Sequence, residues 1–213
     1  MGRRNKGVYK PGGKKWRDVI VAPKAFIYSN ERDLSTIRNK EIYQELKSAM
    51  SRFHSVLGVR QQDIKIADFD KSVLGVHFTD SVTGKSDKIL LNSAYFDSDG
   101  LTKQKLINSE RSSYDAGWST RTNKPIAHTI THELAHATWN SHLKSRNAQL
   151  AKGEIMTIYK NWQKDKNTSK LGYGAYSHTN VNEFWAEVVT KAMHGESDQY
   201  TKAIKKIIKR YSL

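Results

Sequence analysis

Apolar positions at helical spacing dominate the chain. Ile42, Leu46, Met50, Phe53 and Leu57 recur three or four residues apart, which predicts an amphipathic helix over 37–57. Ile126, Ala127, Ile130, Leu134 and Ala137 give a second, started by Asn123–Lys124–Pro125, since proline suits the first turn. Further helices are predicted near Ala148–Lys164, from Asn180 through the stripe of Phe184, Trp185, Val188 and Val189, and at the C-terminus over Tyr200–Tyr211. Strand patterns come earlier. Val19–Tyr28 reads as a strand broken by Pro23, and Asp63–Phe69, Val73–Thr79 and Lys88–Asn92 as three more, with a hairpin turn at Val82–Lys85. Asp97–Gly100 has part of a calcium-loop pattern but not its later glutamate, so a turn is expected. Ser109–Thr122 is polar and turn-rich and could wall a cleft. Strands followed by helices indicate an α+β fold, a small twisted sheet packed on helices, with a helical C-terminal part. Lys88–Asn92 is the candidate edge strand for pairing with an extended peptide.

Composition narrows the picture. At 213 residues a single domain is expected, here placed over 18–213, without internal repeats. No cysteine is present, so any metal must use nitrogen and oxygen ligands. No apolar run is long enough to span a membrane. The net charge is +15, and residues 1–17 carry seven Lys and Arg with no acid, which reads as a flexible basic arm. Such an arm suits a polyanion or nucleic acid, or serves solubility alone, since no nucleic-acid motif accompanies it. The polar N-terminus lacks the apolar core of a signal peptide. That points to an intracellular or virion-associated protein, or a mature secreted chain.

The second predicted helix carries the chemistry. It contains His132–Glu133–Leu134–Ala135–His136, an HExxH sequence. Positions four apart share a helical face, so both imidazoles can hold one metal ion. Glu133 then stands beside the open position as a general base. The plain alternative is a polar His pair on an amphipathic helix. A third ligand is needed. His142 has metzincin spacing, but Trp139 occupies the place of the turn-forming glycine, and a continuing helix would turn His142 away. Glu183 is the stronger candidate, with Glu187 one turn on to orient a ligand histidine. Asn180 and Glu183 also fit a capping box, which needs no metal.

Tyr176, Thr179–Asn180, Glu183–Phe184 and Ala186–Glu187, following the HExxH helix, resemble the catalytic domain of anthrax lethal factor and the related Pro-Pro endopeptidases. The likeness covers about Pro125–His194, including Met193–His194. It implies a zincin-like fold, one zinc ion per chain held by His132, His136 and Glu183, Glu133 as base, and Tyr176 as donor to the oxyanion. The chain departs from the family at Ala135, where glycine is frequent, and at Trp185, where phenylalanine is. Tyr173 is the nearest competitor of Tyr176. The resemblance implies a zinc metalloendopeptidase acting on protein or peptide substrates. Two other readings are a DNA-associated SprT-like protease, which expects a third histidine ligand, and a non-enzymatic zincin-fold virion or binding protein.

Overall fold

The computed structural model describes residues 27–57, 62–79, 86–141 and 146–213, together with the backbone of two short strands, β1 (Val8–Tyr9) and β2 (Lys15–Trp16), which pair antiparallel. The rest of the basic arm, the hairpin turn at 82–85 and His142 lie outside the described residues. The fold is α+β.

Strands β3 (Ser29–Asp33), β4 (Asp63–Asp68), β5 (Gly75–Thr79) and β6 (Ser86–Asn92) form a sheet in the order β3-β4-β6-β5. β4 and β6 run parallel, and the outer pairs are antiparallel. This arrangement corrects one expectation. Lys88–Asn92 belongs to β6, an interior strand with partners on both sides, so it cannot take up a peptide strand. Of the expected strand Val19–Tyr28, 19–26 lie outside the described residues and Ile27 and Tyr28 are irregular; the first strand of this sheet is Ser29–Asp33. β3 is polar and bulged at Asn30, whose φ is 52°. An edge strand with both faces mostly wet needs no apolar alternation, so its sequence carries no strand signal.

Helix α1 (Lys40–Leu57) starts where the Asn39 side chain accepts the backbone N–H groups of Glu41 and Ile42. A one-turn α2 (Ser93–Phe96) follows β6. Asp97 beyond it takes ion pairs from Arg32 and Arg38, and Gly100 has φ +64°, so this segment is a pinned turn. α3 (Lys103–Asp115) occupies much of the stretch read as turn-rich. It buries only Leu106 and Glu110, which leaves too few apolar positions to show a period. The remaining helices are α4 (Pro125–Ser141), α5 (Arg146–Trp162), α6 (Val181–Met193) and α7 (Gln199–Tyr211), close to the expected positions. α7 opens on a capping box between Asp198 and Thr201.

The main core joins α1, α4, α6 and one face of the sheet, with Phe53, Leu91, Ile130, Leu134 and Trp185 fully enclosed. Ala67, Val76, Phe78 and Leu90 form a smaller cluster on the other face. Among the described residues no helix is long and apolar enough to cross a membrane.

Candidate metal centre

α4 lies between the sheet and α6, so its apolar residues are buried on several sides and its histidines are turned inward as well. The register between α4 and α6 is fixed by Trp185, whose indole N–H donates to the Ala135 carbonyl at 2.9 Å. Trp185 also packs on Trp139 at 5.7 Å between ring centroids. Trp139 is thus a buried helical residue, and α4 continues past it to Ser141. Two residues before Trp185, this register sets Glu183 against the HExxH pair.

His132 Nε2 and His136 Nε2 are 3.0 Å apart, and each lies 3.2 Å from Glu183 Oε2. A tetrahedral ion with ligand bonds of about 2.0–2.1 Å has ligand–ligand edges of about 3.3 Å. Glu183 Oε2 is buried and pairs with both imidazole nitrogens, and a cation held by all three atoms would take the place of the protons that join them. The donor set therefore fits a metal ion. The cap at the start of α6 does not compete, because Asn180 Oδ1 accepts the backbone N–H groups of Asn182 and Glu183 and leaves the Glu183 side chain free.

Glu187 lies 3.2 Å from His132 Nδ1 through Oε1. Its Oε2 is 3.3 Å from His128 Nε2, and His128 Nδ1 is 3.5 Å from Glu110. A chain of polar contacts thus runs from His132 through Glu187 and His128 to Glu110, all nearly buried. His128, His132 and Glu187 also lie close enough together to hold a metal ion, as a second set overlapping the first. His128 was not singled out from the sequence, although it stands four residues before His132 on the same helix and the same spacing rule applies. Glu110 has no local signal.

The charges explain the protonation of this cluster. Burial alone would lower His132, but the carboxylates of Glu183 and Glu187 outweigh it and hold the metal-free imidazole well above its usual range. Burial likewise opposes a proton on His128, and Glu187 and Glu110 raise it to about 9. Glu183 and Glu187 stay ionised, held far below the carboxylate range against the burial cost by the imidazoles they face. Glu133 differs. Burial raises its carboxyl, partly offset by His132, His136 and the backbone N–H of His77 on β5. A base with raised pKa beside two imidazoles is suited to taking and returning a proton. β5 comes this close because residue 75 is glycine. A Cβ there would lie 2.8 Å from Thr129 Cγ2 and 3.2 Å from Glu133 Cγ.

Tyr176 sits in the short helical turn Ala175–His178. Its ring is 5.7 Å from that of His132 and 5.2 Å from Trp118, and its hydroxyl is buried without a hydrogen-bond partner among the described residues. Tyr173 instead packs in the core against Trp162 at 4.4 Å. The loop carrying Tyr176 runs beside 117–121, held by Ala175 N–H to Gly117 O and Tyr176 N–H to Trp118 O. Gly174 permits this, because its Cβ position lies only 2.1 Å from Trp118 O. His132, Glu133 and Tyr176 all line one cleft of about 100 Å³, bounded by the start of β5 and by α3. His194, part of the family-like stretch, is not at this centre. It joins Thr122 and Thr131 and ties the end of α6 to α4. Compared with family models, curated proteins and solved structures, the chain finds no match.

Proposed function

We propose that the protein is a zinc-dependent metalloendopeptidase with a zincin-like fold. The observation that carries this reading is the convergence of His132 Nε2, His136 Nε2 and Glu183 Oε2 within 3.0–3.2 Å, beside a buried Glu133. The resemblance of Tyr176–Glu187 to the lethal factor family supports it. Zinc, when bound, would polarise the scissile carbonyl and lower the pKa of a water towards about 7.

The chain's own residues supply the rest. Glu133 accepts a proton from the attacking water and returns it to the leaving amine. Glu187 takes the Nδ1–H of His132 and so keeps Nε2 free as a ligand. Tyr176, whose hydroxyl has no hydrogen-bond partner among the described residues, donates to the oxygen on which negative charge develops. An extended peptide adding to the sheet must use an edge, β3 or β5, and residues at the start of β5 border the cleft.

The test is cleavage of a peptide library by wild type and Glu133→Gln, with zinc measured on both. Wild type should cleave and carry about one zinc per chain, and the variant should keep the metal and lose turnover, since Glu133 is the base and not a ligand. Near wild-type turnover in the variant refutes the assignment. No cleavage by wild type favours the non-enzymatic reading.

A further inference from the structure

We propose that the surface formed by α1 and α7 binds the phosphate backbone of a double-stranded nucleic acid, without reading its sequence. The surface is separate from the basic arm at 1–17, and none of its residues borders the cleft of the metal centre.

α7 is amphipathic, and its two faces have different fates. Tyr200, Ile204, Ile207 and Ile208 are buried in the core. Lys202, Lys205, Lys206 and Lys209 are exposed, and at spacings of three and four residues they form one stripe. No Asp or Glu occurs between Asp198 and Leu213, and Asp198 itself is held by Lys191. Among the described residues none of the four lysines meets a carboxylate, whereas Arg210 beside them pairs with Glu154.

Two adjoining hollows carry this charge across to α1. A groove of about 840 Å³ has Lys205 and Lys209 on the α7 side and Arg52 on the α1 side. A second hollow of about 520 Å³ shares Arg52 and Ser55 with it and adds Lys47, Ser48 and Ser51. Among the described residues no Asp or Glu side chain lines either hollow. Against these four cations stands at most the α-carboxylate of Leu213. Arg52 donates to the Met193 carbonyl at 3.4 Å, which leaves its charge uncompensated.

The chemistry selects among polyanions. Lysine, arginine and serine hydroxyls are what phosphate contacts use, and all three are present. A bilayer would need an exposed apolar face, but the apolar face of α7 is spent on the core. Val56 is the one large apolar side chain exposed on this surface among the described residues. A protein partner would favour aromatic side chains and disfavour lysine. No aromatic side chain lines either hollow among the described residues, so bases have nothing to stack on. A duplex therefore suits the surface better than a single strand.

Each cation that meets a phosphate releases a counterion, so the salt dependence of binding counts the contacts. The full chain is titrated against a labelled mixed-sequence DNA duplex of about 24 base pairs, by fluorescence anisotropy at about 50–200 mM NaCl. Lys205→Gln/Lys209→Gln should lower the slope of log K against log salt by about two and weaken binding about tenfold or more. Arg52→Gln, on the other wall, should lower the slope by about one. Lys105→Gln/Arg111→Gln removes the same charge from α3 and should leave the slope unchanged. Both groove lysines are exposed, so their replacement leaves the core intact. No binding of the duplex by wild type, an unchanged slope in the groove double variant, or an equal loss in the α3 variant overturns the surface. Tighter binding of the single strand, of phosphatidylserine vesicles or of polyglutamate overturns the duplex as its partner.

Discussion

Glu187 Oε1 stands 3.2 Å from His132 Nδ1, and one turn earlier on the same helix Glu183 faces the other nitrogen of the same ring. One imidazole is therefore gripped at both ends by a single helix. The Nδ1 contact fixes the tautomer, and the Nε2 contact defines where a metal would sit.

This division of labour separates the two carboxylates by experiment. Glu183→Ala should lose zinc and activity, because two ligands remain where three are needed. Glu187→Ala should keep the site but cost on the order of 10–100-fold in zinc affinity or turnover. His142→Ala should be close to neutral. Zinc titration with a competing chelator ranks the three variants, and a chain that loses zinc with His142→Ala but keeps it with Glu183→Ala has a metzincin-like site instead.

Tyr176→Phe removes a hydroxyl that has no hydrogen-bond partner among the described residues. Folding and zinc content should be unchanged, and kcat should fall by about 10²–10³, the cost of losing one oxyanion donor. If KM rises while kcat holds, the hydroxyl binds substrate rather than the transition state.

The His128 contacts predict a pH-dependent stability. Its pKa in the folded, metal-free protein is raised to about 9 by Glu187 and Glu110 against the cost of burial, compared with about 6.5 unfolded. The stabilisation is complete below about pH 6.5 and is lost as the pH rises through about 9, with a limiting slope of about 1.4 kcal/mol per pH unit. The difference in melting temperature between metal-free wild type and His128→Gln should accordingly shrink between pH 6.5 and 9.5. A constant difference would show that the imidazole carries no proton that matters.

Gly174→Ala tests the wall that carries Tyr176. The added Cβ would meet Trp118 O at 2.1 Å and Ser119 O at 2.5 Å, both backbone atoms that cannot rotate away. The loops must separate, at a cost of about 1–3 kcal/mol. A lower melting temperature with zinc binding retained is the expected result, read by calorimetry and metal analysis, and an unchanged melting temperature contradicts the close approach.

The sequence by itself determined whatever depends on near neighbours. The 3.6-residue period located α1, α4, α5, α6 and α7 to within a few residues, and the same period put His132 and His136 on one face. Asn180 marked the start of α6 through chemistry confined to one turn. Only the tertiary structure decided which residues far apart in the chain meet. β6 became an interior strand because β4 pairs with it in parallel across a connection that includes β5, and strand order leaves no local trace. β3 and α3 escaped notice because elements exposed on most sides need little apolar patterning. His128 and Glu110 joined the centre for the same reason. His128 shares the i, i+4 spacing of the HExxH pair, but the role of either residue exists only through contacts that packing α4 against α3 and α6 creates.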